Sequence, residues 1–299
     1  MKTVIVTNHS LKFYGGSELI AVDLCNYFIN KKEYVVYACA MEINNPLAKH
    51  INSQVKRVNL NKYPMPIRKA DLIIGHHKDV IDKVLGTVQC DRIIQNSLSV
   101  YSGIEDYSSR ATKLLANSQE TKTIKQPKVN KPIEVFVNSC NDTFFRKEKH
   151  LNSKINRIAI VSNHQWQKGL KIPSIVNSVG AFNSRYVDVD FLLQYDVVIT
   201  IGRTVQQCLC LGIPVYCYDH FGGPGYITLD NIDFNESLNF SGRQQIFDIK
   251  EKKDHNPEKI FADIYNNYDM ICKQQAELRR IARQRYNLSN NLDKVLKEI

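Results

Sequence analysis

Short apolar runs alternate with amphipathic stretches along most of the chain. The apolar runs predict strands at residues 4–7, 35–40, 72–74, 92–95, 113–116, 133–137, 157–162, 197–200 and 215–218. An amphipathic stretch over residues 17–31 predicts a helix after the first strand. Strands that alternate with helices are typical of parallel sheets built from strand-helix-strand units. The pattern therefore predicts an α/β fold.

Two changes in this pattern divide the chain. Residues 146–156, RKEKHLNSKIN, are charged and have no periodic apolar face, which predicts a linker. We therefore expect one Rossmann-like domain over residues 1–145 and a second over residues 157–299. From Pro257 onward apolar residues recur three and four positions apart, which predicts C-terminal helices that begin at this proline. A chain of 299 residues is long enough for two such domains.

Composition limits the partners and the compartment. The chain carries 40 Lys and Arg against 30 Asp and Glu, a net charge of +10, so we expect an anionic partner: nucleic acid, a phosphorylated substrate or an acidic membrane. Its eight cysteines form no CxxC and lie mostly in apolar runs, as reduced core thiols do. The N-terminal apolar run is too short for a signal peptide, and no run approaches the ~18 residues of a membrane span. We expect a cytoplasmic protein.

Glycines and polar residues follow two successive strands. Gly202-Arg203-Thr204 comes after the strand at 197–200: the glycine allows close approach, the arginine offers a cationic fork, and Thr204 is placed to cap a helix. Asp219 and the glycine-rich stretch FGGPGY, residues 221–226, follow the next strand and predict a rigid loop with an open backbone. Carboxyl ends of parallel strands bind ligands. The alternatives are a glycine turn with a surface arginine and a tight loop that needs positive φ angles.

Six segments resemble the motifs of one enzyme family, in the family's order. They are GGSE (15–18), ADLIIGHHKD (70–79), KLLANSQETK (113–122), IEVFVNSCNDTFF (133–145), IAIVSNHQWQKGL (158–170) and QCLCLGIPV (207–215). The family is the GT-B glycosyltransferases, especially the retaining family-four type. The resemblance implies two Rossmann-like domains that face a cleft, the first on the acceptor side and the second binding a nucleotide-sugar donor. Only about 28 residues separate Gly169 from Val198, so we expect a shortened second domain.

The resemblance also implies a donor site. Its predicted residues are Gly15, Gly16, Asn163, His164, Lys168, Gly202, Arg203, Thr204, Gln207, Asp219, Gly222, Gly223 and Gly225. Lys168, Arg203 and the start of the following helix would stabilise negative charge on the leaving phosphate. Asn163 stands where the family has an arginine, and Gln207 where it has a glutamate that holds the donor ribose.

Some of these positions have a second interpretation. His164 is expected either to contact phosphate or to hydrogen-bond within its own loop, and Asp219 and His220 to bind hydroxyls of the transferred sugar. Ser241-Gly242-Arg243 resembles a further anion-contacting turn.

Glu18 and His77 are the acceptor-side candidates for positioning or proton transfer, and Lys168 is the third catalytic candidate. His76 is an equally placed neighbour of His77, and a solvated turn is the alternative for both histidines. Asp188-Val189-Asp190 matches the letters of a metal-binding DxD motif but precedes a helical stretch, so we interpret it as a helix start. We expect neither a metal nor a cofactor.

A basic helix ends the chain. Its cations are Lys273, Arg279, Arg280, Arg283 and Arg285. They predict a solvated face or attraction to anionic lipid headgroups, where a lipid-linked glycan would lie. The sequence has no recognisable nucleic-acid-binding module.

The resemblance implies transfer of a sugar from a nucleotide-sugar to a glycan of a bacterial-type surface polysaccharide or lipopolysaccharide, at the inner face of the membrane if lipid-linked. This transfer would be metal-independent and would retain the anomeric configuration. The alternatives are a nucleotide-sugar epimerase of the same fold and a non-catalytic nucleotide- or glycan-binding subunit of a transferase complex.

Overall fold

The computed structural model describes residues 1–101, 103–164, 173–180, 185–245, 250 and 255–298. The chain forms two compact units, Met1–Val137 with Asp293–Ile299, and Asn138–Leu292. The first unit therefore ends at Val137, whereas the sequence predicts that it ends at residue 145. Residues 138–145 belong to the second unit because Phe145 accepts a hydrogen bond from Arg283 through its carbonyl, at 2.9 Å.

The first unit is built on a seven-stranded parallel sheet in the order β5-β3-β1-β6-β7-β8-β9. Its strands are β1 (Lys2–Thr7), β2 (Ser10–Leu11), β3 (Tyr34–Ala40), β4 (Glu42–Ile43), β5 (Lys56–Asn59), β6 (Leu72–Gly75), β7 (Ile93–Ser97), β8 (Lys113–Ala116) and β9 (Ile133–Val135), and its helices are α1 (Gly16–Asn30), α2 (Lys78–Leu85) and α3 (Gln119–Lys125). The short strands β2 and β4 pair with each other in parallel, beside the main sheet.

Apolar strands and amphipathic helices form the core of this unit. Val4, Ile5 and Val6 are all buried, as expected of a central parallel strand covered on both faces. On α2, Val80, Ile81, Val84 and Leu85 are buried and face the sheet core, and its remaining positions are mainly polar. The strand positions predicted from the sequence for this unit are thus confirmed within one or two residues, whereas β2, β4 and β5 were not predicted.

The second unit has a five-stranded sheet in the order β11-β10-β12-β13-β14, parallel except for β14. Its strands are β10 (Ile158–Ser162), β11 (Val176–Gly180), β12 (Val197–Thr200), β13 (Val215–Asp219) and β14 (Gly222–Tyr226), and its helices are α4 (Val189–Leu192), α5 (Arg203–Leu211), α6 (Ile232–Ser237), α7 (Pro257–Arg285) and α8 (Leu288–Lys297). The unit boundary crosses α8. The predicted helix start at Asp188 is confirmed, since its carboxylate caps α4 by accepting from Phe191 N–H at 2.8 Å.

Helix α7 covers one face of the second sheet. Ile260, Ile264, Tyr268 and Ile271 are buried in the same cluster as residues of β10 and β12. The predicted start at Pro257 is confirmed, and the preceding Asn256 caps the helix by accepting from Lys259 N–H at 3.0 Å. No helix within the described ranges is long and apolar enough to cross a membrane.

The segment predicted as a linker, residues 146–156, is fastened to the second unit. Lys149 forms an ion pair with the buried Asp196 at 3.0 Å, and Asn152 donates to the same carboxylate at 2.7 Å. Asn156 N–H also donates to it, at 2.8 Å. These contacts account for the polar composition of the segment, from which the sequence predicts a linker.

Candidate functional site

Polar groups gather where three neighbouring strands of the second sheet end. β10, β12 and β13 lie side by side and end at Ser162, Thr200 and Asp219. We call this the second-unit edge. It corresponds to the place where parallel α/β sheets bind ligands, beyond the carboxyl ends of their strands.

A hydrogen-bond network joins the ends of β10 and β13. The Ser162 hydroxyl donates to the Asp219 carboxylate at 2.8 Å and accepts from His164 N–H at 2.9 Å. The carboxylate also accepts from His220 N–H at 2.8 Å. The rings of His164 and His220 stack, with centroids 3.5 Å apart. Both predicted residues, Asp219 and His164, are therefore brought together at this edge.

Asp219 is placed differently from the prediction. It is 1% exposed, and its recorded partners are Ser162 and His220. A carboxylate in this position orders the loops after β10 and β13. Asn163 and His164 are the exposed members of the neighbouring loop.

Helix α5 begins at the second-unit edge, as the sequence predicts, but its start differs in detail. The N-cap is Gly202, with φ 62° and ψ −136°, and no side chain caps the helix. Thr204 is the second residue of the helix, two positions after the N-cap, so it is not the predicted cap. Because Gly202 has positive φ, glycine is favoured there. Gly202, Arg203 and Thr204 are only partly buried, so the start of α5 is accessible.

A strained segment supports this helix start. Phe240 accepts a hydrogen bond from Gly202 N–H at 2.7 Å, and both Asn239 and Phe240 have positive φ, 55° and 50°. Asparagine tolerates this conformation, whereas for a bulky residue such as Phe240 it is unfavourable and persists only where the surroundings enforce it. Arg243 follows, nearly buried, with its guanidinium carbon 5.8 Å from the centre of the Phe221 ring. The three-residue motif at 241–243 was the only sequence signal for this segment.

The stretch predicted as a glycine-rich loop forms strand β14. β14 pairs antiparallel with β13, with Gly222 opposite Asp219 and Gly225 opposite Cys217. A Cβ on Gly223 would lie 1.9 Å from the Cys217 carbonyl oxygen, so only glycine allows this approach. Gly222 and Gly225 have positive φ, 84° and 85°. The glycines therefore serve the close pairing of β13 and β14, and the prediction of an open ligand loop was wrong.

Two other donor-site predictions concern Gln207 and Lys168. Gln207 lies on α5 and is 3% exposed, so its side chain is packed inside the unit. Lys168 lies outside the described residues.

The first sheet has a corresponding edge. β1, β6 and β7 are neighbours, and the residues after or at their ends include His9, His76, His77 and Ser97. We call this the first-unit edge. Two histidines and two carboxylates form two pairs there, His9 with Asp79 and His77 with Glu105.

His77 is enclosed within the unit. It is 5% exposed; its Nδ1 accepts from His9 N–H at 2.9 Å, and its Nε2 lies 3.4 Å from Glu105 Oε1. Both ring nitrogens thus have protein partners. It is also the N-cap of α2, with positive φ of 55°. The predicted role of His77 in proton transfer does not fit this position, because neither nitrogen faces solvent.

Glu105 anchors the loop after β7. It accepts from Leu98 N–H at 2.8 Å. Burial alone would raise the pKa of Glu105, but the hydrogen bond and the charge of His77 outweigh it and the pKa is lowered. The carboxylate is therefore held ionised beside His77. Sequence reasoning did not identify Glu105.

A row of buried polar residues lies beside these pairs. Asn8, His76 and Asn96 follow or occupy the ends of β1, β6 and β7, and His76 Nδ1 contacts the Asn96 carbonyl oxygen at 3.1 Å. Burial, and then the proximity of His77, lower the pKa of His76 to about 4. His76 is therefore neutral near pH 7, and it is not the solvated turn residue that the sequence left as an alternative.

Of the three histidines at this edge, His9 has the most exposed side chain. Its side chain is 46% exposed, and Nδ1 lies 2.6 Å from Asp79 Oδ2. Because a carboxylate only accepts, His9 Nδ1 is the donor in this contact. The signal for His9 was present in the sequence, since it lies two residues after the end of the first strand.

Glu18 lies in the first turn of α1 and accepts from the Ser17 hydroxyl at 2.8 Å. Its carboxylate packs against Gly15, where an added Cβ would lie 2.3 Å from Oε2, whereas Gly16 has open space. The contacts recorded for Glu18 in the described chain do not include His77.

The arginines of α7 have partners within their unit. Arg279 pairs with Glu148, Arg280 with Glu277 and Arg285 with Asp233. Arg283 donates to the Phe145 carbonyl. These contacts reduce the charge that the helix can offer to lipid.

Three solved structures show the same fold. A glycosyltransferase from Rickettsia africae ESF-5 is 12% identical with a TM-score of 0.58, and covers 99% of this chain and 97% of its own. An α-glucosyltransferase, solved with UDP and a 13-mer DNA containing an HMU base, is 10% identical with a TM-score of 0.57, covering 99% and 98%. A putative UDP-N-acetylglucosamine 2-epimerase from Listeria monocytogenes is 10% identical with a TM-score of 0.51, covering 99% and 95%.

No protein family model matches the chain. No curated protein matches it in sequence either. At identities this low, structural likeness establishes the fold and leaves the reaction open. The chain has the GT-B fold that its motifs predict.

Proposed function

We propose that the protein transfers a sugar from a nucleotide-sugar donor to a hydroxyl group of a glycan acceptor. The observation that carries this proposal is the second-unit edge, where the accessible start of α5, Arg203 and the stacked pair His164 and His220 follow three adjacent strands. Backbone N–H groups at a helix start and a guanidinium both favour phosphate. A glycosyl donor carries its sugar on a phosphate leaving group, so charge at this position stabilises the departing group.

Several of the predicted donor-site residues have specific roles in this proposal. Gly202, Arg203 and Thr204 hold phosphate, and Asn163 and His164 line the same edge from the loop after β10. Asp219 acts as a positioning residue, because it holds Ser162 and His220. The predicted contribution of Lys168 remains part of the proposal. Metal independence and a bacterial-type surface polysaccharide as product follow from the family resemblance.

An epimerase is the second candidate. It is favoured by the likeness to the Listeria structure named as a putative epimerase. Such a reaction also uses a nucleotide-sugar, and it differs in needing no acceptor. The two reactions therefore share the phosphate-binding edge and differ in their products.

The test is turnover by the purified protein with UDP-, GDP-, CMP- and dTDP-sugars, in the presence and absence of a mixture of oligosaccharide acceptors. Transfer predicts nucleotide release that depends on the acceptor. Conversion of the donor into an isomer without nucleotide release would establish the epimerase. Nucleotide binding without any reaction would contradict both and favour a binding subunit.

A further inference from the structure

We infer that one basic face of the first unit binds an anionic lipid surface. This face is formed by α2 together with residues 60–70 and 107–111, and we call it the α2 layer. The inference goes beyond the proposed reaction, because it concerns a surface of the first unit alone. It assigns a surface to the anionic partner that the net charge of +10 predicts.

The three segments of the α2 layer pack against the same side of the first sheet. One core cluster contains buried residues from all three: Leu60, Met65, Ala70, Val80, Val84 and Tyr107. Polar contacts also join the two loops to the helix. Lys83 donates to Asn61 Oδ1 at 3.3 Å, and Arg110 donates to the Leu85 carbonyl at 2.7 Å. The apolar side of the layer thus faces the sheet, and its polar side faces outward.

The outward side of the α2 layer carries six cations. They are all exposed, and within the described chain none of them is recorded in an ion pair: Lys62, Arg68, Lys69, Lys78, Lys83 and Arg110. The layer contains two carboxylates, and both have other partners. Asp79 contacts His9, and Asp82 accepts from the Ser108 hydroxyl. Six cations against two carboxylates leave an excess of four positive charges on this face.

The basic helix α7 differs from the α2 layer in this respect. Arg279, Arg280 and Arg285 each form an ion pair with a carboxylate of their own unit. A cation that is not paired keeps its full charge for an outside anion. The α2 layer therefore attracts an anionic surface more strongly than the paired arginines of α7 do.

An exposed tyrosine lies among the cations of the α2 layer. Tyr63 is 65% exposed and directly follows Lys62. Its neighbours Leu60 and Met65 are buried, and its N–H donates to the Asn59 carbonyl at 2.9 Å, so the loop is held in place. A tyrosine ring is apolar with a polar tip, and tyrosine is enriched where a membrane meets water. Tyr63 is therefore presented in a form that suits a lipid headgroup region.

A lipid surface fits this face better than nucleic acid does. Anionic headgroups attract the cations, and the boundary between headgroups and acyl chains accepts the ring of Tyr63. Duplex DNA also presents phosphates, but its bases are stacked inside, so the ring would stay in water. The combination of unpaired cations with an exposed aromatic ring thus favours lipid.

The experiment measures binding to lipid vesicles by flotation. Wild type should bind vesicles of phosphatidylglycerol and phosphatidylcholine in equal parts but not vesicles of phosphatidylcholine alone, and added salt should release it. Each lysine or arginine near an anionic surface contributes about fivefold in affinity, so Lys62→Gln with Lys83→Gln should weaken binding by about 30-fold. Arg68→Gln with Lys69→Gln should weaken it to a similar extent. Circular dichroism checks that the variants are folded.

Lys259→Gln with Lys273→Gln is the matched control, because it removes the same charge from exposed positions of α7 in the other unit. This variant should bind anionic vesicles as wild type does. Tryptophan emission gives a second measurement. Tyr63→Trp should shift to shorter wavelength on anionic vesicles, whereas Tyr265→Trp, exposed on α7, should not. The single native tryptophan contributes the same background to both variants.

Wild-type protein that does not bind anionic vesicles would overturn the inference. Equal losses of affinity in the α2-layer variants and in the α7 control would also overturn it, because net charge alone would then govern binding. Binding to duplex or single-stranded DNA in fluorescence anisotropy, without binding to vesicles, would assign the face to nucleic acid instead. These measurements involve no sugar transfer, so their outcome is separate from that of the proposed function.

Discussion

The hydroxyl of Ser162 donates a hydrogen bond to the carboxylate of Asp219 at 2.8 Å, and so joins the ends of two strands separated by β12 in the second sheet. Asp219 then holds the backbone of His220 at 2.8 Å, while Ser162 holds the backbone of His164 at 2.9 Å. One buried pair thus sets the positions of two stacked imidazoles. A single carboxylate orders both loops of the second-unit edge.

Replacement of Asp219 tests this relationship. Asp219→Ala leaves the Ser162 hydroxyl and the His220 N–H without their acceptor, and a buried unsatisfied group costs about 1–3 kcal/mol. We expect the free energy of unfolding, from denaturant titration, to fall by this amount. Asp269→Ala, at an exposed position of α7, should change it by less than about 0.5 kcal/mol. Equal losses for both variants would show that the Asp219 network contributes no stability.

Arg203 is expected to hold donor phosphate. Because a hydrogen bond to a charged group contributes about 1.5–3 kcal/mol, Arg203→Ala should weaken UDP or GDP binding by roughly 10- to 100-fold. The measurement is isothermal titration calorimetry with each nucleotide. Arg280→Ala is the control, since Arg280 is exposed on α7 and pairs with Glu277. The same affinity in both variants would remove Arg203 from the donor site.

The two glycine-rich stretches show which conformations could be predicted from the sequence and which could not. Gly202 was placed correctly at a helix start after a strand, because the strand and helix on either side have clear patterns. Gly222 and Gly223 were interpreted as a loop, because a strand of Gly, Gly, Pro and Gly has no apolar alternation from which it could be recognised. Pairing with β13 is a tertiary contact, and it decides the conformation here.

The same distinction applies to the first-unit edge. That a histidine lies near the end of β6 follows from the local pattern. Which histidine is exposed depends on Asp79 and Glu105, which approach from α2 and from the loop after β7. The sequence predicted this edge and assigned the proton transfer to His77, but His77 is buried in the folded chain.

Glycine at position 223 is expected to be a stability determinant. An alanine Cβ would lie 1.9 Å from the Cys217 carbonyl oxygen, which forces β13 and β14 apart. Overpacking of this kind costs about 1–3 kcal/mol or more, so Gly223→Ala should lower the thermal midpoint in calorimetry. Gly16→Ala meets no atom within 4 Å and should leave the midpoint close to that of wild type. A Gly223→Ala variant as stable as Gly16→Ala would contradict the assigned pairing.

His76 should make stability depend on pH. Its pKa falls from 6.5 to about 4 on folding, first because of burial. Between these values the unfolded chain binds a proton at residue 76 that the folded chain does not, so the free energy of unfolding decreases as pH falls through this window. At about 1.4 kcal/mol per pH unit, the loss amounts to ~3 kcal/mol.

Urea titrations between pH 7 and pH 4 measure this loss, where His76→Gln should show a shallower decline than wild type. His150→Gln should decline as wild type does, because His150 is exposed. If His76→Gln and wild type decline in parallel, the neutral state of buried His76 does not govern acid stability.

The most direct test of sugar transfer is a proton NMR time course of wild-type protein with a nucleotide-sugar and an oligosaccharide acceptor. We predict that the anomeric signal of the donor decays while free nucleotide and a new glycoside signal grow in equal amounts. A donor signal that stays constant for every nucleotide-sugar, or that is replaced by the signal of an isomeric nucleotide-sugar, would contradict the assignment of this fold to a glycosyltransferase.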